Sequence, residues 1–222
     1  MTIDELSGYI DLSLLRPDAT IREIEDLIRD AQRYPFAAVC IPPCHVRLAA
    51  RMLGKSPVKV GTVVGFPFGY QSTDAKVREA CNSVDAGAGE VDMVMNISMF
   101  KSGNIAFVQD EISSIVSTLS GITVKVIIET CYLTDKEKVT ACELVINGKA
   151  GFVKTSTGFG PGGATAEDVR LLKETASGRI DVKASGGIKS LDDALRMVGA
   201  GAMRIGTSSG VKIVEDFRRG LS

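Results

Sequence analysis

The feature that most constrains this chain is a recurrence. Short apolar runs return along it at nearly even distances: YIDLSLL (9–15), FAAVCI (36–41), VKVGTVVGF (58–66), EVDMVMN (90–96), VKVIIET (124–130), GFVKTST (151–157), IDVKASG (180–186) and MRIGTS (203–208). Most are rich in β-branched residues and several are bounded by Gly or Pro, which is the pattern of buried strands. Their centres lie about 28 residues apart, the length of one strand, one helix and two short loops. Helix starts stand between them. Thr20-x-x-Glu23, Thr134-x-x-Glu137, Thr165-x-x-Asp168 and Ser190-x-x-Asp193 each place a hydroxyl three residues ahead of a carboxylate, as a capping box requires.

Eight strand–helix units in 222 residues predict an α/β protein, a single-domain (β/α)8 TIM barrel covering residues 1–222. A doubly wound open sheet is the alternative, but no G-x-G-x-x-G follows the first run. YIDLSLL also reads as the continuation of an N-terminal helix, so the first strand is the ambiguous one.

Composition narrows the chemistry. Lys plus Arg number 26 and Asp plus Glu 27, for a net charge of −1. That excludes a polybasic nucleic-acid or membrane surface and leaves room for a small anion site. The N-terminus lacks the basic and apolar regions of a signal peptide, and no run approaches the roughly 20 apolar residues of a membrane span. A cytoplasmic protein with neither nucleic-acid nor membrane partners is expected. The five Cys residues are irregularly spaced with no C-x-x-C pair, which fits reduced thiols. His45 is the single histidine, so a catalytic zinc or a Ser-His pair has little to be built from. Neither a metal nor a cofactor is expected, and the chemistry falls to Lys, Asp, Glu, Cys or Tyr.

Charges inside the apolar runs are the candidates for that chemistry. Asp11, Asp92, Lys154 and Lys183 stand where an apolar residue is the default, and a buried ion costs several kcal/mol unless it is paired. The ends of barrel strands are where conspicuous residues read as catalytic. Lys154 and Lys183 fall on neighbouring strands, about 4.8 Å apart, so each ammonium disfavours the other and desolvation acts the same way. A free amine results, able to form a Schiff base with an aldehyde or ketone. Asp92 suits the role of proton acceptor and donor. The plainer reading of each is a structural ion pair at the barrel mouth.

Two glycine-rich stretches, Ser185-Gly186-Gly187-Ile188 and Gly206-Thr207-Ser208-Ser209-Gly210, follow the seventh and eighth runs. Barrels commonly hold phosphate there, on backbone N–H groups that glycine leaves open; alternatively both are tight turns. Thr155-Ser156-Thr157-Gly158 adds polar contacts to the same ligand. Cys40 either lines the pocket or is a small buried hydrophobe. His45 reads as a surface residue, and Met93, Met95 and Met99 read as core.

VKVIIET, FVKTSTGFG (152–160), GGAT (162–165), VKASGGI (182–188) and RIGTSSG (204–210), with GEVDMVMN (89–96) and IDLSLLRPDAT (10–20), resemble the deoxyribose-phosphate aldolase family over nearly the whole chain and in the same order. The resemblance implies a class I aldolase on a TIM barrel. Such an enzyme reversibly cleaves 2-deoxy-D-ribose 5-phosphate to acetaldehyde and D-glyceraldehyde 3-phosphate. It implies Lys154 as the Schiff-base lysine, Lys183 as the lysine that perturbs it, and Asp92 as the acid/base. Asp11, Cys40 and Thr155 then line the pocket, and Gly158, Gly186, Gly187, Gly206, Ser208 and Ser209 bind the phosphate. A homo-oligomer, dimer or tetramer, is expected. Pro42 and Arg16 depart from residues common in the family, and Pro161 interrupts the loop after the sixth run. A C-terminal tyrosine present in some relatives has no counterpart in the Arg218–Ser222 stretch, which implies either that its role is unneeded or that turnover is slower.

Overall fold

The helix starts read from the sequence behave as caps. In the computed structural model, which describes residues 1–220, Thr20, Thr134 and Ser190 each accept a hydrogen bond from the N–H three residues on. Glu23, Glu137 and Asp193 reach back to the cap's own N–H. Thr165 accepts from the Asp168 N–H at 3.0 Å, but the Asp168 carboxylate turns away to Lys138 at 2.6 Å, so this box is half formed. Thr2 and Glu5 make a further complete box at the start of the chain.

Between these helices lie β1 (Ile10–Ser13), β2 (Ala38–Ile41), β3 (Lys59–Val64), β4 (Glu90–Val94), β5 (Thr123–Ile127), β6 (Phe152–Lys154), β7 (Asp181–Ser185) and β8 (Arg204–Thr207). All are parallel and close into a barrel in chain order, β8 pairing back onto β1 through Ile10 and Ile205. The ambiguous first run is therefore a strand, and a separate short helix, α1 (Ile3–Gly8), precedes it. The outer ring is α2 (Ile21–Ala31), α3 (Val46–Leu53), α4 (Thr73–Asp85), α5 (Ile97–Lys101), α6 (Ile105–Thr118), α7 (Asp135–Asn147), α8 (Ala166–Ala176), α9 (Leu191–Gly199) and α10 (Gly210–Gly220). Leu221 and Ser222, at the C-terminus that lacks the tyrosine, lie outside the described residues.

Side chains alternate across each strand. Val39, Val91, Val126, Val153, Val182 and Ile205 belong to a continuous apolar core with Ile24, Ile28, Ile112, Ile115, Val169, Leu172 and Ile213 of the helices. Met93 and Met95 are fully buried in it, but Met99 on α5 is 37% exposed, its sulfur accepting from Asn104. The α5 helix is a single short turn at the barrel rim, so its outer face has nothing to pack against.

One ionic contact is sealed inside the helical layer. Lys76 on α4 and Glu111 on α6 are both inaccessible to solvent and lie 2.9 Å apart. Lys76 Nζ donates to the Val94 carbonyl at 2.8 Å, and Glu111 accepts from the Asn96 N–H at 3.0 Å. Burial pushes Lys76 down and Glu111 up from their ordinary values, so this pair leans on its hydrogen bonds to the end of β4. Among the described residues no helix is long and apolar enough to cross a membrane.

Candidate active site

The alternation that sends Val91, Val126, Val153 and Val182 outward sends their charged neighbours inward. In register, Asp92 stands beside Lys125, and Lys154 beside Lys183. Asp11, Asp92, Lys125 and Lys183 are fully buried, and Lys154 is 2% exposed.

Asp92 is the hub. Its Oδ2 accepts from Lys154 Nζ at 2.7 Å and from Lys183 Nζ at 2.6 Å, and its Oδ1 accepts from Lys125 Nζ at 3.1 Å. Lys183 also donates to Asp11, and Lys125 donates to Glu90 at 2.5 Å. Arg204 spans Asp11 and Glu90. Among the described residues this cluster counts four cations (Lys125, Lys154, Lys183, Arg204) and three carboxylates (Asp11, Glu90, Asp92). Lys154 touches one carboxylate, while each of the other cations touches two or more.

The electrostatics differ from the simple repulsion expected of two lysines. Burial works to discharge Lys183, but Asp11 and Asp92 outweigh it and hold its ammonium above the ordinary lysine value. Lys125 is likewise raised against burial, chiefly by Asp92. Burial also opposes the charge on Asp92, yet Lys125, Lys154 and Lys183 hold its carboxyl well below the usual range. Asp92 screens the two neighbouring amines from each other, and Lys183 is a fixed cation. Cys40 Sγ lies 3.9 Å from Asp92 Oδ2, and burial raises its thiol, which keeps it a neutral donor.

Above this cluster, at the C-terminal ends of β1, β6, β7 and β8, opens a cleft of about 270 Å³. Lys154 lines its floor. Gly158, Gly186, Gly187, Gly206 and Ser208 line its walls with Thr157, Ser185 and Thr207, while Lys189 and Arg16, the latter paired with Asp18 and Glu23, stand at its edge. Gly158, Gly186 and Gly187 have φ of 86°, 87° and 80°, the left-handed region that favours glycine. Ser209 stands outside this lining and donates its N–H to Thr207 Oγ1. Thr155 is buried below the cleft, its hydroxyl donating to the Ser185 carbonyl and accepting from the Ser185 N–H. Asp11, Cys40, Asp92 and Lys183 are buried and stand outside the lining of the cleft. His45 is half-buried in a turn after β2, and Cys44 beside it is exposed. Among the described residues no group of three or more His, Cys, Asp or Glu side chains is placed to hold a metal ion.

A buried, lysine-rich cluster under a glycine-lined cleft agrees with what is found when the chain is compared with known proteins. Residues 8–216 match the family model described as DeoC/LacD family aldolase. The chain belongs to the DeoC/LacD aldolase family. It is 54% identical over 217 residues to a deoxyribose-phosphate aldolase of Thermoanaerobacter pseudethanolicus, covering 96% of this chain and 97% of that one. The solved structure of QR15, an aldolase, superposes with a TM-score of 0.93 at 46% identity, covering 97% of each chain. That of a tetrameric deoxyribose-phosphate aldolase from Aeropyrum pernix gives 0.92 at 37% identity, over 98% of this chain and 92% of that one.

In this aldolase the sequence reading passed over Lys125, Glu90 and Arg204, although signals for them existed. Lys125 sits inside the strand run VKVIIET between β-branched residues, as Lys154 and Lys183 sit within theirs, so it was a third candidate for an inward lysine. Glu90 and Asp92 alternate within one strand and therefore share a face.

Gly206 shows how tightly the layer is built. A Cβ there meets Ser185 Cβ at 3.0 Å and Lys183 Cε at 3.2 Å, and the Lys183 side chain is pinned at its far end. Gly206→Ala is expected to cost about 1–3 kcal/mol by overpacking, read as a lower denaturant midpoint. Aldolase turnover should fall on the order of 10²-fold, as displacement of about 1 Å at a reacting group does. Unchanged activity would show that Lys183 needs no fixed position.

Proposed function

We propose that this aldolase cleaves 2-deoxy-D-ribose 5-phosphate reversibly to acetaldehyde and D-glyceraldehyde 3-phosphate, with Lys154 as the Schiff-base lysine. The observation that carries the assignment is positional. Lys154 is the one cation of the buried cluster that both lines the cleft and rests on a single carboxylate. Four cations face three carboxylates, and Lys154 is the cation with the fewest charge partners, so its amine is the one least held in an ion pair.

In the cleavage direction the Lys154 amine adds to C1 of the open-chain aldehyde, a proton is taken up from water and water leaves, giving an iminium whose positive charge lies beside Asp92. Asp92, ionised at neutral pH and buried outside the cleft lining, removes the C3 hydroxyl proton through water. The C2–C3 bond breaks, its electrons move into the iminium, and glyceraldehyde 3-phosphate departs. The remaining enamine takes a proton on C2, and hydrolysis frees acetaldehyde and the amine. Lys183 stays protonated and holds Asp92 in place. The 5-phosphate lies along Gly158, Gly186, Gly187, Gly206 and Ser208, whose open backbone suits an anion, with Ser209 behind them and Arg16 and Lys189 at the edge. Asp11, Cys40 and Thr155 shape the pocket from below. Free thiols and the sugar-phosphate substrate fit a cytoplasmic setting, and the tetrameric relative favours a homo-oligomer.

Borohydride reduction in the presence of acetaldehyde, followed by peptide mapping, is expected to yield N-ethyl-lysine at Lys154. An adduct at another lysine, or none, refutes the assignment. A coupled assay for glyceraldehyde 3-phosphate release tests the substrate.

A further inference from the structure

One buried carboxylate beside the cleft has no place in the chemistry described above. Glu129, just past the end of β5, is 2% exposed. Its backbone is left-handed, with φ 52° and ψ 70°, a conformation unfavourable for a non-glycine residue that persists where surrounding contacts enforce it. Its backbone carbonyl accepts from the Tyr132 N–H at 3.1 Å, and its carboxylate is held chiefly by Thr157. The Thr157 N–H lies 3.2 Å from both carboxylate oxygens, and the Thr157 hydroxyl donates to Oε2. Cys131 Sγ stands 3.9 Å from Oε1.

Thr157 passes the constraint on. Its Oγ1 accepts from the Phe159 N–H at 3.0 Å, and Thr157, Gly158 and Phe159 together form the cleft wall contributed by the loop after β6. At its far end the loop is locked differently. The Ala164 N–H donates to the Ser185 and Gly186 carbonyls at 3.1 and 3.0 Å, and a Cβ on Gly163 would meet the Gly186 oxygen at 2.3 Å. At the near end the Thr155 N–H donates to the Lys183 carbonyl at 3.0 Å and the Thr155 carbonyl accepts from the Thr130 N–H at 2.9 Å, and the Ser156 carbonyl accepts from the Ser185 hydroxyl at 2.5 Å. Beyond them Thr157 is held by the Glu129 carboxylate. Burial raises the Glu129 carboxyl above its ordinary value, although the Thr157 donors and the charge of Lys154 pull the other way.

We infer that Glu129 is a positioning residue that fixes the Thr157–Phe159 wall of the cleft and so sets the affinity for the phosphorylated end of the substrate. The inference rests on the substrate reading given above. It requires that Glu129 and Thr157 act as one unit and that the effect fall on binding rather than on the amine.

The test is a double-mutant cycle in the full-length chain, read as KM and kcat for deoxyribose 5-phosphate. Glu129→Gln is expected to raise KM on the order of tenfold while kcat falls by less than about threefold, the pattern of lost uniform binding. Thr157→Val is expected to raise KM comparably, and the double variant to be no worse than about the poorer single, because both remove the same interaction. An unchanged KM in Glu129→Gln, independent effects that multiply in the double variant, or a fall in kcat at constant KM would each overturn the inference. Should Glu129→Gln fail to fold, Glu129→Asp, which keeps the charge but shortens its reach, takes its place under the same criteria. A wild-type chain that forms no acetaldehyde adduct at Lys154 refutes the substrate reading instead, so the two failures are distinct.

Discussion

Lys154→Leu is expected to abolish aldol turnover, by a factor on the order of 10⁴ or more as for removal of a covalent nucleophile, and to do so without unfolding the barrel. The second half of that expectation follows from charge. The variant keeps Lys125, Lys183 and Arg204 against Asp11, Glu90 and Asp92, a balanced set. Replacing a buried ion by an apolar group of similar size is often neutral or stabilising once the remaining ions are paired. A denaturant midpoint at or above that of the wild type, together with lost turnover and no borohydride-trapped adduct, is the anticipated result. Residual turnover above about one part in 10³, given the same principle, would mean that another lysine carries the chemistry.

Asp92→Asn is expected to have the opposite stability signature. It removes the one carboxylate that touches Lys125, Lys154 and Lys183 at once, leaving four buried cations with two carboxylates. Breaking a buried pair by removing one partner costs about 3–5 kcal/mol, a large part of the roughly 5–15 kcal/mol that holds a domain together. Turnover is expected to fall with it. The pH dependence is a second mark. Because the folded-state value of Asp92 is depressed, its contribution is present above its unfolded value and disappears as pH falls through its folded one. Lys183 is raised, so its contribution is present below the ordinary lysine value and disappears only as pH climbs past its folded one. Chemical denaturation of the wild type across acid pH should therefore lose stability below about pH 4. Asp92→Asn should lack the part of that slope that Asp92 supplies. Parallel acid profiles for the two chains would show that the carboxylate is not the hub.

The barrel was legible because its grammar is local. An apolar run repeated eight times, with a hydroxyl three ahead of a carboxylate opening four of the intervening helices, leaves little freedom of topology. Where the reading met tertiary competition it lost detail. Nothing near Asp168 in sequence announces that Lys138, thirty residues earlier, will draw its carboxylate away from the Thr165 cap. Met99 looked like core because its neighbours Met93 and Met95 are, yet it sits beyond the end of the strand.

The candidate site divides along the same line. Charges in apolar runs are visible singly, so Asp11, Asp92, Lys154 and Lys183 stood out. Their sum is not visible that way. The cluster's excess of one cation depends on Lys125, Glu90 and Arg204, which lie inward by register. Glu129 escaped notice for another reason: it follows two isoleucines at a strand end, and its role is fixed by the handedness of its own backbone, a property no residue name reveals.

The sealed pair of Lys76 and Glu111 has a consequence for how the barrel can be altered. It grips the tail of β4 from the helical layer, while three lysines grip the same strand from the lumen through Asp92. β4 is thereby clamped on both sides, apart from the loops after β6, β7 and β8 that wall the cleft. Remodelling those loops for other aldehydes leaves the shared carboxylate where it stands, whereas any change that loosens α4 or α6 would shift it from a distance.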